Sequence, residues 1–299
     1  MKVATGLLQI FLVCIFWWPD EARSLTSIEK VELIRKTPKH VVVGLPHNAP
    51  RPVFYFLPGA TAPSCGLVAG RGNAITPILE IEPPETFPQC LDITEGAEFR
   101  HGGFAGYVFK YLQRDTREDT STAYFFVKQF ENKLQPLDLL NQAKPPQNRP
   151  ISYLAAWGKS KLLTRRNEIK GYRDTPHSII LASAILNVSR NEKASKCRTE
   201  VDLVTTERLL PVQVNSCRSI LASTSISSKE GVYFVVLIED TRKRILGQIL
   251  QATSDKVRRA TELEERFKVE IESGEILNLK RSIRRMLEEE RGRSEYSSP

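Results

Sequence analysis

Six cations, Lys159, Lys161, Arg165, Arg166, Lys170 and Arg173, fall within fifteen residues against a single acid, Glu168. On a helix, Lys161 with Arg165 and Arg166 with Lys170 are i, i+4 neighbours, which repel mildly unless an anion bridges them. The chemistry on offer is capture of an anion by charge: a sulfated glycan, a lipid headgroup or an acidic protein face. The plainer alternative is a solvated helix face balanced by acids elsewhere in the fold.

Nucleophilic and metal chemistry find less support. A nucleophile elbow needs G-x-S-x-G on a strained strand-to-helix turn. Residues 53–59 read as a strand entering an oxyanion-type loop, but Gly158-Lys159-Ser160-Lys161-Leu162 lacks the closing glycine. His40, His47, His101 and His177 stand in no motif, and no C-x₂₋₄-C or H-x₃₋₅-H spacing offers a zinc site. The glycine-rich stretch 101–106 is not followed by the Lys-Ser/Thr of a phosphate cradle. Glu80, Glu82 and Glu85 sit among prolines. Two carboxylates brought together by folding leave no spacing rule, so a secreted hydrolase stands as the alternative to a non-catalytic binding protein. No cofactor fingerprint occurs, and none is expected.

The N-terminal segment sets the compartment. Lys2 precedes an apolar run of sixteen residues, 3–18, that Pro19-Asp20-Glu21 ends. At about 1.5 Å per residue this run spans roughly 24 Å, short of a ~30 Å hydrocarbon core. It reads as a secretory leader cut after Ser24, with no membrane span left after cleavage; the rival is an uncleaved anchor with Trp17-Trp18 at the interface. The expected location is extracellular, where nucleic acid is not an expected partner.

Secretion makes the cysteines disulfide candidates. Cys14 leaves with the leader, and Cys65, Cys90, Cys197 and Cys217 allow three connectivities, of which Cys65–Cys90 and Cys197–Cys217 respect the chain's organisation. The second pair is expected to face across a hairpin. Asn187-Val188-Ser189 is the one N-x-[ST] sequon, which predicts a glycan at Asn187 on an exposed turn. Arg242-Lys243-Arg244 is a paired-basic sequence at the expected junction of a strand and a helical tail, where a processing protease would find extended backbone. The alternative there is a first helical turn that is never cut.

The elements that must position these residues follow from pattern. The chain has 299 residues, 41% hydrophobic and 26% charged with a net charge of +8, which excludes wholesale disorder and leaves a mildly basic globular protein. Ten of the eighteen prolines lie between Pro38 and Pro88, so residues 25–135 read as a proline-rich, mostly β region of short strands. Two of these strands are expected at 104–112 and 123–130. Residues 136–150 read as a linker.

Residues 151–240 read as a helix over 151–169 and four strands at 178–188, 197–205, 210–220 and 232–239, a disulfide-stapled antiparallel meander. Residues 241–299 read as a helical tail: Leu250, Val257, Ala260, Phe267 and Ile271 recur at threes, fours and their sums, and Ile276, Leu279, Ile283 and Met286 follow beyond Ser273-Gly274. Such thin stripes must lie on the body, on each other or on a partner. Self-association through these helices is therefore one expectation, and an extracellular protein or sulfated glycan at the basic face the other. The fold class is α+β.

A helix followed by a meander with a disulfide hairpin resembles the last part of cystatin-like domains. The likeness is of architecture: the Q-x-V-x-G protease-blocking loop is absent, and His40-Val41-Val42-Val43-Gly44 keeps only its Val and Gly. It implies a helix packed on an antiparallel sheet and no inhibitory activity.

Overall fold

The structure, a computed structural model, describes residues 40–43, 51–57, 64–71, 74–81, 90–114, 119–130, 133–206 and 208–296. The expected leader, His47, Glu82 and Glu85 lie outside the described residues. The fold mixes helices with antiparallel sheets, as an α+β chain does.

Four sheets follow one another along the chain. Strands β1 (His40–Val42), β2 (Arg51–Leu57), β3 (Ser64–Arg71) and β4 (Ala74–Ile81) form the first. Strands β5 (Cys90–His101), β6 (Phe104–Arg114), β7 (Thr120–Phe130) and β8 (Lys133–Pro136) form the second. Helices α1 (Asp138–Asn141) and α2 (Ile151–Ile169) come next. The third sheet contains β9 (Arg173–Asp174), β10 (Ile179–Ile180), β11 (Ala184–Asn191), β12 (Lys196–Leu203) and β13 (Leu209–Val214), with β9 and β10 both on the free side of β11. The fourth contains β14 (Cys217–Ser228), β15 (Gly231–Asp240), β16 (Ile245–Ala252) and β17 (Val257–Arg259), followed by helices α3 (Thr261–Arg266), α4 (Lys268–Ser273) and α5 (Ile276–Tyr296).

The layers stack in chain order because the central strands are apolar on both faces. On β6, Tyr107, Phe109 and Tyr111 point to the first sheet, where Cys65 and Leu67 lie, while Val108 points to α1 and α2. On β15, Phe234, Val236 and Ile238 meet Leu186, Val188 and Val201 of the third sheet, and Tyr233, Val235 and Leu237 meet α4 and α5. Strands covered on both sides read as continuous apolar runs. Each wholly buried phenylalanine such as Phe109 or Phe234 contributes roughly 2 kcal/mol.

The chain repeats one plan twice. Cys65 in β3 bonds Cys90, the first residue of β5; Cys197 in β12 bonds Cys217, the first residue of β14. Both strands then bulge at the same two places, after Cys90 and Ile93 and after Cys217 and Ile220. The backbone N–H of Phe126 donates to Asn141 Oδ1 at 2.7 Å, and that of Ile249 to Glu264 Oε1 at 2.9 Å. Leu137 N–H donates to Phe126 O, and Ala260 N–H to Ile249 O. Each half is thus two disulfide-linked sheets backed by a helical layer. Helix α2, the backing of the first half, also lies against β9, β10 and β11 and so joins the halves.

Several expectations need correction. The Cys197–Cys217 bond joins the third sheet to the fourth instead of crossing one hairpin. The expected strand 210–220 is two strands broken at Asn215-Ser216, where Ser216 has φ +59°. Residues 245–259 are strands, and the tail becomes helical only from Thr261. Leu250 belongs to a strand whose neighbours Ile249 and Gln251 face the other way, so its spacing to Val257 is no helical stripe. The stripe of Leu279, Ile283 and Met286 is buried against β14 and β15, which leaves that seam unavailable for self-association. Among the described residues no helix is long and apolar enough to cross a membrane.

Candidate anion-binding site

The basic run lies on α2 and just beyond it, and the packing of α2 divides the run in two. One face of α2 must approach the second sheet closely. A Cβ on Gly158 would stand 2.8 Å from Phe126 Cε1 and 3.2 Å from Leu140 Cδ1, which accounts for a glycine in mid-helix despite a cost of about 1 kcal/mol. The other face meets the polar side of β11 and β12.

There Lys159, wholly buried, donates from Nζ to Asp202 Oδ1 at 2.9 Å and to the carbonyl oxygens of Leu203 and Thr206. Burial pushes the Asp202 carboxyl up to about 6, against the opposing pull of Lys159. Arg166 Nη2 pairs with Glu200 Oε1 at 2.9 Å, and Arg198 Nη2 reaches the same oxygen at 2.7 Å. Asn167 Nδ2 donates to Glu200 Oε2 at 2.6 Å and to Asn187 Oδ1 at 3.2 Å.

Two candidate residues are therefore structural, and a third changes meaning. Lys159 and Arg166 neutralise acids beneath the helix; buried charges persist only when paired in this way. Asn187 is fully buried in β11 with its Nδ2 directed to Thr164 Oγ1 at 3.4 Å. The expected exposed turn is not there, and the folded chain has no room for a glycan on that amide.

The remaining four cations face outward. Lys161 is exposed, with Nζ 5.8 Å from the centroid of the Trp157 ring. Arg165 is exposed and pairs with Glu168 at 3.3 Å. Lys170 and Arg173 are exposed, and neither forms an ion pair among the described residues.

The end of α2 places Arg173. Gly171, at φ +78°, closes the helix: its N–H donates to Glu168 O, and Tyr172 N–H donates to Asn167 O. Only a residue free of Cβ strain takes this left-handed turn cheaply. The chain then enters β9, where Asp174 accepts from Thr164 Oγ1 at 3.2 Å and Ser178 Oγ at 2.9 Å. Arg173 is thereby set directly opposite Arg190 of β11.

Beside this pair an open cavity of about 740 Å³ is lined by Glu168, Tyr172, Arg173, Arg190, Glu192 and Lys193 among others. Sequence reasoning included Arg173 but missed Arg190 and Lys193, because their proximity depends on strand register. Glu200 and Asp202 were missed too: their alternation with Val201 and Leu203 marks a polar sheet face, but not that a helix covers it.

Elsewhere the site residues fall apart. His40, His101 and His177 lie on different elements. Among the described residues no group of three His, Cys, Asp or Glu side chains is placed to hold a metal ion. Arg242-Lys243-Arg244 form the turn between β15 and β16 and are not a strand-to-helix junction. Asp240 Oδ1 accepts the N–H groups of Arg242 at 2.8 Å and Arg244 at 2.9 Å, and Lys243 sits at φ +62°. This backbone is folded back on itself, whereas a processing protease needs it extended.

No protein-family model matches the chain, and no curated protein matches it in sequence. Among solved structures it is similar to the GH32 β-fructofuranosidase of Bombyx mori, at 8% identity and a TM-score of 0.26 over 74% of this chain and 48% of that one. A sucrose-6-phosphate hydrolase from Lactobacillus gasseri gives 8% identity and a TM-score of 0.24 over 73% and 47%. The catalytic domain of a GH62 α-L-arabinofuranosidase from Coprinopsis cinerea gives 9% and 0.20 over 75% and 68%. The chain spans about half the length of the first two. At these TM-scores the likeness carries nothing about fold or activity.

Proposed function

We propose that this is a secreted, non-catalytic binding protein that engages a sulfated glycan through the outward cations at the C-terminal end of α2. One observation carries the reading. The two acids beneath the run, Glu200 and Asp202, are buried and already neutralised by Lys159, Arg166 and Arg198. Lys161, Arg165, Lys170 and Arg173 therefore give the exposed surface a cationic character that the exposed acids Glu168, Asp174 and Glu192 offset only in part. A flexible polyanion meets such a surface by charge, without a deep cleft. An acidic extracellular protein would meet the same surface and is the competing partner in the test.

The oxidised secreted chain should be retained on immobilised heparin and elute as salt rises, since exposed charge contacts are screened. Replacing Lys161, Arg165 and Lys170 together by Ser should abolish retention at physiological ionic strength while leaving the unfolding free energy within about 0.5 kcal/mol of the parent. Unchanged elution of that variant would return this face to plain solvation.

A further inference from the structure

We infer that Arg173 and Arg190 form the seat for one tetrahedral oxyanion, the sulfate group of a glycan ester. The inference deepens the reading above, because it names the group that the cationic face would hold, and it rests on that reading for the source of the group.

Antiparallel register sets the two arginines directly opposite each other, on the same side of the sheet. Like charges so placed destabilise a strand pair. No ion pair formed by either side chain occurs among the described residues to offset the repulsion. Arg190 is half-buried, and its Nε is shut off from solvent without a hydrogen-bond partner among the described residues. A buried donor left unmade costs free energy that a ligand would recover.

The surroundings suit an anion of that shape. Arg173 and Arg190 both line the cavity, with Lys193 at its edge on the turn between β11 and β12. Of the two acids that line it, Glu168 is engaged by Arg165, and Glu192 is exposed on the same turn as Lys193. Guanidinium groups present planar forks of N–H donors that match oxyanion geometry, which an ammonium cannot reproduce. The backbone of Arg190 on β11 and of Arg173 beside Asp174 is held by strand pairing, so the main chain under the seat has little freedom to lose on binding.

The test follows the Arg190 Nε–Hε resonance of the oxidised full chain while sodium sulfate is added against sodium chloride at equal ionic strength. A saturable shift with sulfate alone is expected. Arg190→Lys and Arg173→Lys each keep the charge and should weaken sulfate binding about tenfold, through loss of the fork. Arg173 is exposed, so its variant tests the seat even if Arg190→Lys fails to fold.

A resonance that does not respond, or sulfate binding unchanged in both variants, would overturn the seat. Glucosamine 6-sulfate and glucosamine 6-phosphate run as separate arms: tighter binding of the first assigns glycan sulfate, and tighter binding of the second overturns that source for a phosphoester. Heparin retention with no response at Arg190 removes the seat and leaves the broader face standing. Saturable sulfate binding in a chain that heparin does not retain upholds the seat and overturns the broader reading.

Discussion

Lys159 and Asp202 close an ion pair almost wholly removed from water, with Nζ 2.9 Å from Oδ1 and side-chain exposures of 1% and 6%. The pair joins the helix of the first half to the third sheet, so it ties the two halves where their contact is polar. Lys159 meets two backbone carbonyls as well, and both charges are compensated within one layer.

Removing one partner should therefore cost far more than removing both. Lys159→Met strands the Asp202 carboxylate and should lower unfolding free energy by about 3–5 kcal/mol. The double variant Lys159→Met/Asp202→Leu replaces both charges with apolar volume and should recover much of that loss. Urea unfolding of parent, single and double variants reads the difference. A single variant within about 1 kcal/mol of the parent would contradict a dry, load-sharing pair.

Asp240 makes the acid limb of stability predictable in sign. Its carboxylate accepts backbone N–H groups from Arg244 and Arg242 and the Arg244 guanidinium, which hold its pKa below the ordinary carboxylate value. A folded-state pKa below the unfolded one means stability is present above the usual carboxylate range and is lost as pH falls through it and below. Asp240→Asn should flatten that fall when unfolding midpoints are compared at pH 7 and pH 3. A slope identical to the parent's would mean the turn does not depend on the charge.

Sequence alone made part of this legible. Helix α2 was readable over its full length because Leu154, Ala155 and Leu163 recur among polar residues without a proline, although their imperfect helical period hid the charged face turned to β12. Two-sided burial defeated the reading of 245–259. In β16, Ile245 and Ile249 face helices while Leu250 faces a sheet, so no period-2 polarity survives to mark a strand. The duplication was invisible for a related reason: it lives in register, bulges and hydrogen bonds, while few aligned side chains beyond the cysteines and the pair Ile93 and Ile220 stay alike. Arg190 became a site residue only once β11 was paired with β9.

The turn at Arg242–Arg244 supports a last prediction, about proteolysis. Cleavage after Arg244 would begin a new chain at Ile245, the first residue of β16. That strand is hydrogen-bonded to β15 from Ile245 to Ala252 and to β17 on its other side. Its Ile249 and Leu250 are fully buried on opposite faces. The C-terminal piece also carries Leu279, Ile283 and Met286, which cover β14 and β15.

A nick in the turn therefore breaks one exposed peptide bond and none of the packing. A paired-basic protease should cut slowly, because Asp240 holds the backbone folded, and Asp240→Ala should be cut faster. The two fragments of the cut protein should elute together in native size exclusion and separate only in denaturant. Release of a fragment beginning at Ile245 under native conditions would mean that β16 is not the central strand described.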